Sequence, residues 1–484
     1  MEVLHYNKKV VNVYLRLEKT DKNSIAMIDN HNIQVTYGEI YDFTVEFRNY
    51  INKRTLIFIL AKNNVGTAIG YVAAMSNRVV PLLLGEDLDE ELLNNLINTY
   101  QPEYIWKSSE ITKNCEKQIF NKYGYSLVKT GYDCVKMFDE LSLLLTTSGS
   151  TGSPKLVRHS YKNLESQAKN ISAFFKLTAD ERPLIDLPIN YTYGLSVLNS
   201  HLYCGATVLL SDANIMSKEY WDFLKNQKAS SFTNVPYAYE IIKKLRVSKM
   251  DLPYLKTFSQ GGGKLREDLH MEFAQMCKNS GRKFIVTYGQ TEGSARMAYL
   301  PHEYAITKCG SIGKAIPEGK LYIVDDYNNV IEEPDVVGEM VYEGSNVTLG
   351  YALCKDDLLK EDENHGKLYT GDMVKKDKDG FFYIIGRKKR FIKLNGLRVG
   401  LDETERIISK EFNVECACSG NDDGMIIYLV KSDIKEGMDW DIIPFISRKL
   451  GINAKAFKLK VIEKITRNEA GKILYTKLDS GDKF

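Results

Sequence analysis

The first third of the chain switches between continuous apolar runs and helical patterns. The run Thr55-Leu56-Ile57-Phe58-Ile59-Leu60 is typical of a strand that is buried on both faces. A stretch of small residues over 65–76 predicts a helix, and a second apolar run follows over 79–84. Strand, helix and strand in this order predict a doubly wound α/β layer.

A shorter pattern upstream predicts the start and the buried face of a helix. Thr36 and Glu39 stand at the spacing of a capping box, in which each side chain accepts a hydrogen bond from the other residue's backbone N–H. Apolar residues then recur at helical spacing, at Ile40, Phe43, Phe47 and Ile51.

The carboxyl-terminal residues have the pattern of a small α+β domain. Asn395-Gly396 predicts a type I′ turn within a hairpin over 391–399. Asp402 is expected to cap a helix whose third residue is Glu405. A further helix has an apolar face and is stopped by Gly451. That face comprises Ile442, Phe445, Ile446 and Leu450.

Length and charge limit the class of protein. The 484 residues are too many for one ordinary core. The net charge of +2 gives no reason to expect nucleic acid or an anionic membrane as a partner. No stretch approaches the ~18 apolar residues of a membrane span. The first nine residues lack the apolar core of a signal peptide, so we expect a cytoplasmic protein without membrane insertion.

Cysteines do not indicate a metal site. Cys416 and Cys418 form a C-x-C pair, but no second pair and no histidine cluster accompanies them, so zinc is not expected. Their spacing places both on one face of a predicted strand.

A loop of small and hydroxylated residues follows the apolar run Leu143-Leu144-Leu145 and ends at Lys155. Glycines let backbone N–H groups approach an anion, hydroxyls add donors, and the lysine adds positive charge. The pattern is not a P-loop, because Pro154 precedes the lysine. A flexible linker is the alternative. Because linkers are rarely preceded by a buried strand, we predict a polyphosphate site.

This loop resembles the phosphate loop of the adenylate-forming superfamily, which contains acyl-CoA synthetases, adenylation domains of peptide synthetases and luciferase-like enzymes. Companion motifs in the family's order extend the resemblance over nearly all of the chain. The resemblance implies that the following loop residues contact the phosphates of ATP: Thr147, Ser148, Gly149, Ser150, Thr151, Gly152 and Lys155.

The motif Tyr-Gly-Gln-Thr-Glu over 288–292 matches the family's Tyr-Gly-x-Thr-Glu. The resemblance implies that Tyr288 stacks on adenine beside Gly289 and that Thr291 is a catalytic contact of the α-phosphate. Glu292 would hold Mg²⁺, which prefers hard oxygen ligands. By residue type alone, Glu292 is an ordinary surface acid.

Two further segments resemble the parts of the family that surround adenine and the acid. Gly261 and Gly262 are implied to contact adenine, because glycines suit a flat ligand that lies against the backbone. A second set is implied to contact the acid. It comprises Tyr191, Tyr193, Gly194 and Gly263.

Tyr191 bears on the class of acid. It stands where α-amino-acid-activating relatives have Asp, and a neutral phenol cannot pair with an ammonium group. We therefore predict an acid without an α-amino group. An ordinary aromatic core cluster is the alternative interpretation of Tyr191 and Tyr193.

The remaining motifs imply a hinge and two domains. Asp372, in a Thr-Gly-Asp motif, would accept hydrogen bonds from the ribose hydroxyls, and Arg387 would contact the ribose or a phosphate. The basic run over 387–390 is short for a nucleic-acid patch. The resemblance places a hinge there, with Lys389 at the hinge position. It implies a large multi-layered adenylate-forming domain over 1–386 and a small mobile α+β lid domain over 391–484.

Two lysines of the lid domain have implied roles. Lys472 lies in a Gly-Lys motif that resembles the family's Pro-x-x-x-x-Gly-Lys loop, with Thr466 in place of Pro, and would catalyse adenylation. Lys393 would act in the transfer to a thiol.

The function implied by the resemblance is ligation of a small carboxylic acid to a thiol, with ATP and Mg²⁺ as cofactors. The acid becomes an acyl-adenylate with release of pyrophosphate, and the acyl group then passes to CoA or to the phosphopantetheine of a carrier protein. Three alternatives stay open. They are a noncatalytic acid- or adenylate-binding relative, a luciferase-like oxygenase, and an amino-acid-activating carrier-protein ligase.

Overall fold

The computed structural model describes residues 14–113, 116–146, 155–394, 397–433, 438–467 and 473–478. The chain divides into two compact units. Unit 1 comprises Met1–Gly310, Ala315–Lys320 and Glu343–Leu368, and unit 2 comprises Ser311–Lys314, Leu321–Tyr342 and Tyr369–Phe484. The predicted hinge at 387–390 and the domain bounds on either side of it stay predictions.

Ten α-helices are defined within the described residues. They are α1 Tyr37–Tyr50, α2 Val65–Ser76, α3 Glu90–Tyr100, α4 Tyr161–Phe175, α5 Thr192–Tyr203, α6 Lys218–Asn226, α7 Pro236–Lys244, α8 Glu267–Asn279, α9 Leu401–Phe412 and α10 Met438–Leu450.

The strands of the first 310 residues are β1 Ile25–Asp29, β2 Gln34–Thr36, β3 Leu56–Ala61, β4 Val80–Gly85, β5 Tyr104–Ser108, β6 Lys117–Lys122, β7 Tyr125–Lys129, β8 Leu141–Thr146, β9 Leu156–Ser160, β10 Pro183–Ile185, β11 Val208–Leu210, β12 Ser231–Asn234, β13 Thr257–Gln260, β14 Lys283–Tyr288 and β15 Ala298–Leu300. The later strands are β16 Lys314–Ala315, β17 Lys320–Val324, β18 Gly338–Glu343, β19 Gly350–Ala352, β20 Lys367–Lys376, β21 Phe382–Arg387, β22 Phe391–Leu394, β23 Leu397–Gly400, β24 Cys416–Asn421, β25 Gly424–Val430 and β26 Phe457–Ile462.

Unit 1 is built on two large sheets. One has the strand order β15-β14-β13-β12-β10-β11-β1-β2, and the other has the order β19-β9-β8-β4-β3-β5-β7-β6. Side chains from both sheets and from α1, α2, α4 and α5 share one buried core. Helices packed between parallel-rich sheets confirm the predicted layered α/β class.

The apolar run at 55–60 forms β3, which is buried along its whole length. Alternate side chains of β3 belong to two different cores, with Ile57 and Ile59 in one and Phe58 and Leu60 in the other. Burial of both faces explains why this strand is apolar throughout.

The predicted capping box begins α1. The Glu39 N–H donates to Thr36 Oγ1 at 3.1 Å, and the Thr36 N–H donates to Glu39 Oε2 at 2.7 Å. The predicted apolar face, Ile40, Phe43, Phe47 and Ile51, is at most 1% exposed.

Unit 2 combines three smaller sheets with α9 and α10. Their strand orders are β17-β18-β20-β21, β22-β23 and β24-β25-β26. β22 and β23 pair in antiparallel register as the predicted hairpin, although its turn, Asn395-Gly396, lies outside the described residues. Cys416 and Cys418 share a core on one face of β24.

The prediction that Asp402 caps α9 is wrong. Gly400 occupies the N-cap position, and no side chain caps this helix. The Asp402 carboxylate instead accepts hydrogen bonds from the Arg387 N–H at 3.0 Å and from the Arg390 guanidinium. Two donors from the preceding segment thus draw the carboxylate away from the helix end.

α2 packs unusually closely on β5 because two of its residues are glycines. A Cβ at Gly66 would lie 2.3 Å from the Tyr125 ring, and a Cβ at Gly70 would lie 2.2 Å from Trp106 Nε1. The Trp106 indole N–H donates to the Gly66 carbonyl at 2.9 Å. Without a Cβ, the helix backbone comes within hydrogen-bonding distance of the indole.

We predict that Gly70→Ala lowers the free energy of unfolding by about 1–3 kcal/mol, because the methyl group must displace a fully buried indole. The higher helix propensity of alanine offsets only part of this loss. Chemical denaturation of the two proteins measures the difference. Gly131→Ala is the matched control, since nothing lies within 4 Å of a Cβ there. Equal midpoints for all three proteins would contradict the prediction.

Candidate functional site

The strands on either side of the predicted phosphate loop pair as neighbours in one sheet. β8 and β9 are antiparallel, with Thr146 opposite Leu156. The six predicted phosphate contacts between these strands lie outside the described residues, and so does Lys472. Their roles stay predictions. The six are Thr147, Ser148, Gly149, Ser150, Thr151 and Gly152.

Lys155, Tyr351 and Glu292 form a connected polar cluster, called here the phosphate-side cluster. Lys155 Nζ lies 3.1 Å from the centroid of the Tyr351 ring. The Tyr351 hydroxyl donates to Glu292 Oε1 at 2.8 Å. Burial and the neighbouring Glu292 both raise the pKa of Tyr351, so the phenol stays a donor at neutral pH. One tyrosine side chain thereby holds a cation over its ring and a carboxylate at its hydroxyl.

A tight turn after β14 positions Glu292. A Cβ at Gly289 would lie 1.7 Å from the Ala295 carbonyl oxygen, so the turn requires glycine at this point. Ala295 has a φ of 83°, and the Met297 N–H closes the turn on the Tyr288 carbonyl at 2.8 Å. The polar side chains of this one turn include Thr291, Glu292 and Arg296.

The acid-binding segment predicted at 186–195 contacts the same turn and the strand before it. The Thr192 hydroxyl donates to Thr291 Oγ1 at 3.1 Å. The hydroxyls of Tyr193 and Thr287 are 3.1 Å apart. The start of α5 is therefore linked to the predicted α-phosphate contact and to β14.

The predicted glycines lie where the backbone approaches these tyrosines. A Cβ at Gly261 would lie 2.6 Å from the Tyr193 hydroxyl. Gly262 has a φ of +75°, and a Cβ there would lie 3.2 Å from the Tyr191 hydroxyl. Cβ atoms at Gly263 and Gly194 would lie 3.2 Å from the Pro236 ring and 2.5 Å from the Pro188 carbonyl oxygen, respectively. The structure thus brings the predicted adenine and acid segments together.

Tyr191 and Tyr193 form an aromatic cluster with Leu187 and Val235. Their rings meet edge to face, with centroids 6.5 Å apart. Burial raises the pKa of Tyr191 to about 12, so this position supplies a neutral phenol and no anion. The aromatic core cluster that was the alternative interpretation of Tyr191 and Tyr193 is therefore present. The same two tyrosines also lie against the backbone of Gly261 and Gly262.

Asp186 is a partly buried acid to which the sequence assigns no role. Its carboxylate accepts hydrogen bonds from the Tyr220 hydroxyl at 2.9 Å and from Asn234 Nδ2 at 2.8 Å. Burial raises the pKa of Asp186 to about 6. These contacts tie the start of the acid-binding segment to α6 and β12, which makes Asp186 a positioning residue.

Arg296 is a second residue that the sequence analysis misses. It is 1% exposed, and its Nε and Nη1 have no hydrogen-bond partner among the described residues. Its guanidinium carbon lies 5.0 Å from the Tyr193 ring centroid and 5.2 Å from that of Phe175. Burying an unpaired charge destabilises the protein by several kcal/mol, whereas a cation–π contact stabilises it by about 0.5–2 kcal/mol. A single arginine between two motifs has no spacing signal that would single it out.

In unit 2, Asp372 and Arg387 are paired. They lie opposite each other on β20 and β21, with Arg387 Nε 2.8 Å from Asp372 Oδ1. Asp372 is 2% exposed. Lys389 and Lys393 are exposed, and the Lys393 backbone N–H donates to Asp422 Oδ1 at 2.7 Å. The roles of these four residues stay predictions.

The donor set at Glu292 fits a magnesium ion that arrives with phosphates. Among the described residues no group of three histidines, cysteines or acids is arranged to hold a metal by itself. Mg²⁺ is usually held by one or two carboxylates together with water and substrate phosphates. Glu292 is partly exposed and offers such a carboxylate, with one oxygen oriented by Tyr351. No helix in the described ranges is long and apolar enough to span a membrane.

Two relatives match this chain, one over nearly its whole length and the other over a little more than half of it. A 2-succinylbenzoate–CoA ligase of Bacillus anthracis is 26% identical over 478 residues, which is 92% of this chain and 93% of that protein. An oxalate–CoA ligase of Arabidopsis thaliana is 31% identical over 288 residues, which is 58% of this chain and 55% of that protein.

A solved structure shows the same fold. The o-succinylbenzoate CoA synthetase (MenE) of Bacillus subtilis, in complex with its acyl-adenylate intermediate, matches with a TM-score of 0.80 and 22% identity. The match covers 98% of this chain and 99% of that one. The model of the family of AMP-binding enzymes matches residues 16–352. These residues include the phosphate-side cluster and both tyrosines of the acid segment. The predicted superfamily is thereby confirmed, and the chain belongs to the AMP-binding enzymes.

Proposed function

We propose that this protein is an AMP-forming acid–CoA ligase that acts on a carboxylic acid without an α-amino group. The observation that carries the proposal is the turn after β14, which joins the phosphate-side cluster to the acid-binding segment. Relatives named as CoA ligases support CoA as the acceptor. The acids in those names are not amino acids.

The first step links the carboxylate, which is a poor electrophile, to AMP and so gives it a good leaving group. A carboxylate oxygen attacks the α-phosphorus of ATP, and the bond from that phosphorus to the pyrophosphate oxygen breaks. Negative charge grows on the phosphate oxygens, so positioning and electrostatic stabilisation dominate the catalysis. Thr291 and Lys155 are the described residues that supply a hydroxyl donor and a positive charge to that oxygen cluster.

Glu292 is the residue to which we assign binding of Mg²⁺. Mg²⁺, bound with ATP through Glu292, would supply positive charge beside the phosphates. The Tyr351 hydroxyl orients one carboxylate oxygen of Glu292, and this carboxylate would bind the metal. Asp372 would hold the ribose hydroxyls, and Lys472 would add a second cation during this step.

The second step transfers the acyl group. The CoA thiol sulfur attacks the acyl carbon, the bond from that carbon to the phosphate oxygen breaks, and AMP leaves. Lys393, exposed on β22, is the described residue that we assign to this step.

The proposal is tested by incubating the protein with ATP, Mg²⁺, CoA and an acid library that includes linear, branched and aromatic acids. AMP, pyrophosphate and an acyl-CoA of matching mass are expected in equal amounts. Acyl-adenylate that forms without any thioester would point to a carrier protein as acceptor. Oxygen consumption would point to an oxygenase, and the absence of pyrophosphate with every acid would refute the proposal.

The two assigned lysines are predicted to separate the half-reactions. Lys472→Ala should slow pyrophosphate release roughly 10²–10³-fold, by analogy with the loss of one transition-state donor, and should still transfer a preformed acyl-adenylate to CoA. Lys393→Ala should form the adenylate and transfer it slowly. Single-turnover assays of each half-reaction measure both effects, with the exposed Lys464→Ala as the control. Equal damage to both halves in both variants would contradict this division.

Tyr351→Phe is predicted to raise the Mg²⁺ concentration at half-maximal activity about 10-fold or more, because groups that orient a metal ligand typically contribute 10–100-fold. The ring that faces Lys155 is retained in this variant. The measurement is pyrophosphate release as a function of free Mg²⁺. Tyr327→Phe, at a tyrosine that is 86% exposed, is the control. An unchanged Mg²⁺ dependence would exclude an orienting role for the hydroxyl.

Amino acids are predicted to be poor substrates. A buried α-ammonium group beside the neutral Tyr191 would lack an anionic partner, which costs several kcal/mol. Pyrophosphate release with each of the twenty amino acids, compared with their deamino analogues, measures this preference. The analogue should be favoured in each pair, and a best substrate among the amino acids would overturn this interpretation of the pocket.

A further inference from the structure

Among the described residues, no acidic side chain pairs with Arg296. Its Nε and Nη1 are fully buried and lack partners among the described residues. Burial lowers the pKa of Arg296, and the neighbouring Tyr193 phenol opposes that change. His201 also faces this guanidinium, and burial together with the charge of Arg296 contributes to lowering its pKa to about 4, so it stays neutral. Within the described part of the chain, the guanidinium therefore meets two ring faces and a neutral imidazole.

Two aromatic rings hold the guanidinium in place. The Tyr193 and Phe175 rings lie 5.0 Å and 5.2 Å from its central carbon. Contact with ring faces stabilises the cation but does not satisfy N–H donors that lie in the guanidinium plane. In-plane donors of this kind match the two oxygens of a carboxylate.

Arg296 lies deeper in the unit than the predicted phosphate contact. Thr291 leaves the same turn, is partly exposed and bonds to Thr192. Arg296 is 1% exposed and contacts the ring of Tyr193 one residue further along α5. An acid whose reacting carboxylate lies beside Thr291 would extend along Tyr193 toward the guanidinium.

We propose that Arg296 binds a second carboxylate on the acid, so that the preferred substrates are dicarboxylic acids activated at one end. This inference rests on the proposed ligase function. It explains why an arginine whose Nε and Nη1 lack partners is buried beside two aromatic rings and a neutral histidine, since the substrate would supply the missing anion. Arg296 is thus a specificity-determining residue, while the reacting atoms are handled by the phosphate side.

The test compares acids of equal length that differ only in the second carboxylate. Pentanoate is paired with glutarate, hexanoate with adipate, and phenylacetate with homophthalate; adipate monoamide tests whether charge is needed. Pyrophosphate release gives kcat/KM for each acid with wild type, Arg296→Met and Arg296→Lys. Arg266→Met, at an exposed arginine that pairs with Asp268, is the matched control.

For the best pair, wild type and the control should favour the diacid by about 100-fold, because the monoacid forgoes a charged hydrogen bond and leaves the guanidinium donors unpaired. Arg296→Met should lose most of this ratio through a higher KM for the diacid, and Arg296→Lys should keep part of it. Adipate monoamide should behave like hexanoate.

A wild-type enzyme that prefers the monoacid in every pair would overturn the proposal while leaving the ligase function intact. An unchanged diacid preference in Arg296→Met would do the same. Should that variant fail to fold, the wild-type ratios and Arg296→Lys decide the question. The absence of pyrophosphate with every acid would overturn both the ligase function and this inference.

Discussion

The closed turn after β14 is the constraint on which the rest of the site depends. The turn has no room for a Cβ at Gly289. Side chains from other parts of the chain also donate hydrogen bonds to its carbonyl groups. Asn346 Nδ2 donates to the Gly293 carbonyl at 2.7 Å, and Gln167 donates to the Ser294 carbonyl. Because Thr291, Glu292 and Arg296 all leave this turn, any change in its path moves the phosphate and acid sides together.

The two sides of the turn have opposite physical character. On the phosphate side, Glu292 and Lys155 are partly exposed and hold opposite charges on one tyrosine, as suits groups that exchange water for phosphate. On the acid side, Tyr193 and Arg296 are buried, where the low dielectric strengthens interaction with an incoming charge. A single turn and its neighbours therefore hold polar side chains in two different environments, one partly exposed and one buried.

Within unit 2, Arg390, the last residue of the predicted hinge, is held by a dense set of contacts. Arg390 bonds to Asp402 and lies 2.7 Å from Glu405 Oε1, and its guanidinium carbon is 3.6 Å from the Tyr475 ring centroid. Burial raises the pKa of Glu405 to about 7, while Arg390 opposes that shift. The chain is thus anchored by side-chain contacts immediately after Lys389.

Local sequence patterns were enough to predict β3, α1 and the span of α2, because capping and burial on one or both faces depend on neighbours in the chain. Asp402 was predicted wrongly because donors at Arg387 and Arg390, outside its helix, compete for its carboxylate. The motif around Glu292 named the family, but its contact with Tyr351 joins distant segments. Only the tertiary structure could place Arg296 beside two rings and without an acidic partner among the described residues, since burial and unpaired donors are properties of packed side chains.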